Sequence, residues 1–174
     1  DKKKLRELVS RAQRELDPDD TVVLVDAIKD IGFRYATQSG TTISSSDIIT
    51  PPEKVQLLQQ ADARIEEMEE QFGMGLLTDD EKYQQSLAIW SETTDKVQAA
   101  LMRTLPQLGA LAMMSNSGAK GNITQIRQMG GMRGLMSDPS GKIIPLPIRS
   151  SFRDGLSVLE YFISTHGARK GLAD

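Results

Sequence analysis

Four short stretches hold the residues best suited to chemistry, and all lie in the last third of the chain. Ser117-Gly118-Ala119-Lys120-Gly121-Asn122 sets small residues, which expose backbone N–H groups, beside a lysine that supplies charge. That is half of a phosphate cradle. The full Walker pattern is missing, so a polar surface loop is the plainer reading. Gln125-Ile126-Arg127-Gln128 and Met132-Arg133-Gly134 place two guanidiniums near flexible backbone. Such forks suit phosphate oxygens, although each arginine taken singly reads first as solvated surface. His166-Gly167-Ala168-Arg169-Lys170-Gly171 packs one ring able to move protons near neutral pH and two cations between glycines. With no placed partner the histidine reads as structural before catalytic, and Arg169 with Lys170 reads as a surface for nucleic acid or phosphate.

Composition narrows the chemistry. The 174 residues suffice for one domain, or one with an appendage. With 39% hydrophobic and only 5% aromatic residues, the core should be aliphatic with methionine as filler. There is no cysteine, so disulfides and thiolate metal sites are excluded. His166 is the single histidine, which removes multi-histidine metal sites and leaves a Ser-His-Asp triad little support. No apolar run approaches the roughly 20 residues of a membrane helix. The opening Asp1-Lys2-Lys3-Lys4 is polar and unlike a signal peptide, and both ends read as boundaries of a piece.

Charge is unevenly spread. From Glu53 to Leu105 eleven acids stand against five bases, whereas from Gly118 to Asp174 eight bases stand against four acids. The plain reading is two solvated surfaces; the sharper one is that only the second faces polyanions.

The elements that must position these residues follow from periodicity. Lys3 to Leu16 reads as a helix, and Asp17-Pro18-Asp19-Asp20 caps a second through Val22, Val25, Ile28 and Ile31 that Gly32 should stop. Phe33 to Ile49 reads as loop with short strands. Thr50-Pro51-Pro52-Glu53 and Thr78-Asp79-Asp80-Glu81 are two capping boxes. Each opens a heptad stripe: Leu58, Ala61, Ile65, Met68 and Phe72, then Tyr83, Leu87, Trp90, Thr94, Val97 and Leu101. Joined by Gly73-Met74-Gly75, they predict an antiparallel coiled-coil hairpin, an arm of about 30 Å that projects from the body. Two helices of an ordinary bundle are the competing reading. Pro106 closes the arm. Leu108 to Met114 should be helix or buried strand, Ser115 to Asn122 flexible loop, Ile123 to Gln128 helix, and Lys142 to Ile148 an edge strand limited by Pro145 and Pro147. Ser151 should cap a helix with Phe152, Leu156 and Leu159 inward, Val158 to His166 should be packed, and Ala168 onward could start another helix. The fold class is thus mainly α with a few short strands, the projecting hairpin standing on a small mixed domain. Its divisions are 1–50, 51–105, 106–157 and 158–174.

Ser117 to Asn122, Gln125 to Gln128, Gly131-Met132-Arg133-Gly134-Leu135-Met136, Phe152-Arg153-Asp154-Gly155-Leu156, and the run from Tyr161 to Asp174 closely resemble, in order and spacing, the largest (beta-prime) subunit of bacterial RNA polymerase. Gly32-Phe33-Arg34-Tyr35-Ala36-Thr37 with Ser39-Gly40 resembles that subunit's funnel, and the hairpin its rim helices. The resemblance implies that residues 1–50 are funnel-like, 51–105 rim helices, 106–157 a basic glycine-rich loop region, and 158–174 the start of the bridge helix. It implies a wall of the secondary channel, through which nucleoside triphosphates enter. Transcript-cleavage factors would dock at the tip, on Gly75, Leu76, Leu77, Asp79, Asp80 and Glu81. Met129 to Pro139 resembles the loop that packs under the trigger loop and helps it close. Lys120 stands where the family often has an arginine on the incoming triphosphate; lysine keeps the charge and loses the fork. Arg127, Arg133, His166, Arg169 and Lys170 fall where channel or nucleic-acid contacts are implied.

Two departures matter. Gln84, Gln85 and Ala88, and Asp19 and Asp30, do not reproduce the residues that bind guanosine tetraphosphate in some members, which puts that regulation in doubt. The aspartate loop that holds Mg2+ in the complete enzyme is absent, so the fragment should carry no cofactor and no polymerase activity of its own. The implied partners are the beta, alpha and omega subunits, DNA and RNA, with no membrane and a cytoplasmic location. Two other functions compete: a non-catalytic coiled-coil interaction module of another nucleic-acid-processing assembly, and an independent phosphate-handling enzyme using Lys120 and His166.

Overall fold

A computed structural model describes residues 2–105 and 109–173. Among them are seven α-helices: α1 Lys2–Glu15, α2 Pro18–Ser39, α3 Lys54–Gly73, α4 Asp79–Thr104, α5 Ala110–Ser117, α6 Ile123–Gly130 and α7 Val158–Ala173. Extended structure amounts to two antiparallel bridges, Gly134 with Ile148 and Ser137 with Ile143. The fold is mainly α. Leu108, at the start of the expected apolar run, lies outside the described residues, and from Ala110 that run is helix. The chain falls into two compact units, residues 1–47 with 107–122 and residues 48–106 with 123–174.

The first unit holds α1, α2 and α5. Ala12 is buried on α1, and the Thr21 hydroxyl donates to the Asp17 carbonyl at 3.0 Å where α2 begins. Gly32 does not stop α2. A helical glycine costs about 1 kcal/mol and loses no hydrogen bond, so it cannot end a helix otherwise able to continue. The stop comes at Gly40, whose φ of 57° is the left-handed conformation that ends helices, with its N–H on the Thr37 carbonyl. Phe33 to Ser39, expected as loop, is therefore helix. Likewise α5 runs through Ser115-Asn116-Ser117, and Gly118 caps it.

The second unit is built on α3 and α4, which pack against each other as a hairpin. The turn is a Schellman motif: Gly75 N–H donates to the Phe72 carbonyl at 2.9 Å and Leu76 N–H to the Gln71 carbonyl at 3.0 Å. Gly75 takes φ 75°, which a side chain would strain. At Thr78 the expected capping box forms, with Glu81 N–H on Thr78 Oγ1 and Thr78 N–H on Glu81 Oε2. The Thr50 box does not. α3 starts at Lys54, and the Glu53 carboxylate is drawn instead to Arg103 at 2.7 Å. Across the hairpin Arg64 reaches Glu92 at 2.7 Å. Hydrogen bonds from Lys96 and Arg64 hold the Glu92 carboxyl down at about 2.

Burial on α4 is wider than one stripe. Ser86, Ile89, Trp90, Thr93, Thr94, Val97, Ala100 and Leu101 are all buried, whereas Phe72 and Leu87 are only half-buried. One flank of α4 meets α3, where Ala61, Ile89 and Trp90 pack with Leu58, Ile65 and Leu135. Another carries α6 and the loop after it, with Met132 and Ile148 fully enclosed. Contact there is close enough to require glycine. A Cβ at Gly130 would lie 2.9 Å from the Ile49 carbonyl, and one at Gly131 would lie 3.2 Å from Val97.

Residues 142–148 do not form the expected strand. Pro145 and Pro147 offer no N–H to a ladder, and only the two bridges remain. Ser151 caps a tight turn rather than a helix, since its backbone and hydroxyl both donate to Asp154. The amides of Phe152 and Arg153 in that turn satisfy the last carbonyls of α6, at Gln128 and Met129. α7 starts only at Val158, capped by Ser157 and Glu160, and runs unbroken past Gly167 and Gly171. Its apolar residues are not packed as expected. Ile163 and Ser164 are buried, but Val158, Leu159, Tyr161 and Phe162 are each more than half exposed. At 3.6 residues per turn these four share one broad side of the helix, and the neighbouring surface covers only a stripe outside it.

Candidate functional site

Lys120 lies in the first unit, exposed, just beyond α5. Three of the amides that could cradle a phosphate are already used. Gly118 N–H donates to the Ser115 carbonyl, Ala119 N–H to the Ser117 hydroxyl, and Lys120 N–H to the Met114 carbonyl at 3.4 Å. These bonds cap the carbonyl end of a helix, where the dipole disfavours anions. What the loop offers an anion is the Lys120 ammonium.

The remaining candidates lie in the second unit. Arg127 on α6 and Arg133 in the following loop are half-buried, and each has an enclosed Nε with no hydrogen-bond partner. The Arg133 guanidinium stacks on the Phe152 ring at 5.0 Å, and its backbone N–H holds the Ser150 carbonyl at 3.1 Å. Burial pushes its pKa down from the ordinary arginine value. His166 and Arg169 are exposed on α7, three positions apart and so on neighbouring faces. The side chain of Lys170 lies outside the described residues.

At the hairpin turn Gly75, Leu76, Asp79, Asp80 and Glu81 are exposed and Leu77 is half-buried. Asp79, Asp80 and Glu81 fill the first turn of α4, where the helix dipole favours carboxylates whatever else they do. Glu81 is occupied: its carboxyl is held below the ordinary range by the Thr78 backbone and hydroxyl. Asp79 and Asp80 carry the available charge. Met74, 72% exposed beside Leu76, adds an apolar patch that sequence reading missed, because a methionine between two glycines gives no periodic signal.

Also missed was the bracing of the hairpin by residues 142–149. Arg149 grips Asp62 with both terminal nitrogens, at 2.7 and 2.9 Å, and lies over the Trp90 ring at 5.0 Å. Tyr83 donates to the Ile143 carbonyl at 2.8 Å and Ser86 to the Pro145 carbonyl at 3.3 Å. Between this strap and the two helices lies a half-open groove of about 340 Å3, walled by Ile65, Met68, Tyr83, Trp90 and Leu146. A second hollow, of about 250 Å3, takes in Gln85 and Ala88. Among the described residues no three acidic or imidazole side chains converge as a metal site. No described helix is long and apolar enough to cross a membrane.

The family profile described as RNA polymerase Rpb1, domain 4, matches residues 77–154, which places the hairpin's second helix, the cationic loops and the strap in the class of large RNA polymerase subunits. The match to individual relatives runs further. The chain is 53% identical to DNA-directed RNA polymerase subunit beta' of Heliobacterium modesticaldum, over 99% of its own length and 15% of that protein. It is 53% identical to the same subunit of Desulforudis audaxviator and 48% identical to that of Moorella thermoacetica, over 100% of its length and 15% of each. The chain belongs to the bacterial RNA polymerase beta' family, and it spans 15% of the length of these relatives.

Proposed function

We propose that the chain works as part of a DNA-directed RNA polymerase, a nucleotidyltransferase when complete, and lines the secondary channel by which nucleotides enter. In this reading residues 1–50 belong to the funnel, 51–105 are the rim arm, 106–157 carry the basic loops, and 158–174 begin the bridge helix. The observation that carries it is the unbroken similarity from α1 to α7, at 53% identity, to proteins that bear the beta' name. The exposed apolar faces of α7 add support, since such a helix needs cover from elsewhere in a larger body.

Each site residue then has a part. Lys120 meets the incoming triphosphate; Arg127, Arg133, His166, Arg169 and Lys170 face the channel or nucleic acid. Met129 to Pro139 supports the trigger loop. Asp79 and Asp80, with Met74, Leu76 and Leu77, receive a transcript-cleavage factor, while Glu81 and Gly75 set the shape of the turn. Mg2+ would be held outside this segment. The beta, alpha and omega subunits, DNA and RNA are the partners, and the cytoplasm the location. Gln84, Gln85 and Ala88 leave guanosine tetraphosphate without its usual polar contacts.

The test is charge reversal at the tip of the complete polymerase. Asp79→Lys with Asp80→Lys should weaken a cleavage factor several-fold and leave RNA synthesis without the factor intact. Unchanged affinity removes the hairpin as the docking site.

A further inference from the structure

The strap has two ends of unequal firmness. At its base the backbones of Gly134 and Ile148 exchange two hydrogen bonds, both 2.9 Å, beside the enclosed side chains of Met132 and Ile148. At its far end the holding bonds are side chain to carbonyl. Tyr83 donates to Ile143, and Ser86 to Pro145, with the Lys142 ammonium over the Tyr83 ring at 4.8 Å. These donors are needed because Pro145 and Pro147 cannot enter a ladder. The Tyr83 bond sits at the solvent edge, where opening costs least, and the Ser86 bond lies just inside it.

The strap also carries the loop before it. Ile144 N–H donates to the Met136 carbonyl at 2.8 Å, and Asp138 N–H to the Lys142 carbonyl at 2.8 Å. Whatever holds residues 142–145 therefore holds 136–138. Tyr83 is on the second turn of α4, directly after the hairpin turn.

We propose that Tyr83 and Ser86 are positioning residues: they latch the strap to α4 and thereby set the 132–138 loop, tying the state of the hairpin near its tip to the loop. The contacts stand by themselves; the consequence for catalysis rests on the polymerase reading above. A ligand or partner that engages Tyr83 would release the loop through this latch, with no contact to the loop itself.

Tyr83→Phe deletes the hydroxyl and keeps the ring under Lys142; Ser86→Ala is the independent second variant. Hydrogen exchange is followed by mass spectrometry in the complete polymerase. Peptides covering 136–146 should exchange roughly two- to tenfold faster in either variant, the range expected for one lost hydrogen bond, while peptides covering 93–101 stay as in the parent. In the same preparations the rate of nucleotide addition at saturating nucleotide should fall by a comparable factor with KM unaltered. Unchanged exchange over 136–146 overturns the latch, as does an equal rise along α4, which would mean general loosening. Faster exchange with an unaltered addition rate overturns the catalytic consequence. A parent assembly that makes no RNA refutes the polymerase reading instead, and the exchange result still decides the latch.

Discussion

Lys54, buried at the start of α3, forms an ion pair with Asp154, one hundred positions along the chain. It joins the hairpin to the turn that leads into α7. The two ends differ in exposure: 9% of the Lys54 side chain is accessible, against 35% of Asp154. Burial pushes the Asp154 carboxyl up, but hydrogen bonds from Lys54 and Ser151 outweigh it and leave its pKa below the ordinary value.

That asymmetry predicts unequal costs. Asp154→Ala strands a buried ammonium and should destabilise the chain by about 2 kcal/mol, below the roughly 3–5 of a fully enclosed pair because the carboxylate is partly wet. Lys54→Met leaves Asp154 with Ser151 and should cost well under half as much. Urea midpoints of the two variants decide it, and equal losses would contradict the account.

Glu160 predicts a pH dependence at the start of α7. Burial pushes its carboxyl up, and hydrogen bonds from the Ser157 and Ser150 backbones and hydroxyls more than offset this, so the folded pKa is lowered. A lowered folded pKa means stability present above the unfolded value, about 4.3, and lost as pH falls through the folded one. Protection of the amides over residues 149–160, measured against their intrinsic exchange rates, should therefore fall below about pH 4. Glu160→Gln should flatten that profile and loosen the segment at neutral pH.

Gly130→Ala tests the close approach of α6 to the chain at Ile49. The new methyl would sit 2.9 Å from a backbone carbonyl, which cannot turn away as a side chain could. Overpacking of this kind costs about 1–3 kcal/mol. A thermal melt should show the loss, whereas alanine at Gly73, where nothing lies within 4 Å, should be tolerated.

Lys120 makes a prediction about substrate alone. In the complete polymerase Lys120→Ala should raise KM for nucleoside triphosphates roughly tenfold, as for one lost charge-assisted hydrogen bond. Lys120→Arg should restore or better the parent value through its fork. A KM unmoved by either takes Lys120 out of the substrate path.

Much of the helical plan was legible because its signals are short-range. The Thr78–Glu81 box, the glycine turn and the 3.6-residue repeat each act within a turn or two of helix. The same signals misled wherever a distant group intervened. Thr50 to Glu53 has the letters of a capping box, but Arg103 competes for the glutamate. Ser151 has the letters of a helix cap, but Asp154 closes a tight turn on it.

By itself the sequence determined the helix periods, the hairpin and the family, since repeat, turn chemistry and long identical motifs are local properties of the chain. Tertiary structure alone decided that Arg149 reaches Asp62 and Trp90, that Tyr83 holds the strap, and that α4 is covered on two flanks. Those contacts join residues about sixty to ninety positions apart, through an irregular proline-bearing segment without a period, and only the closing of the core brings such partners within reach.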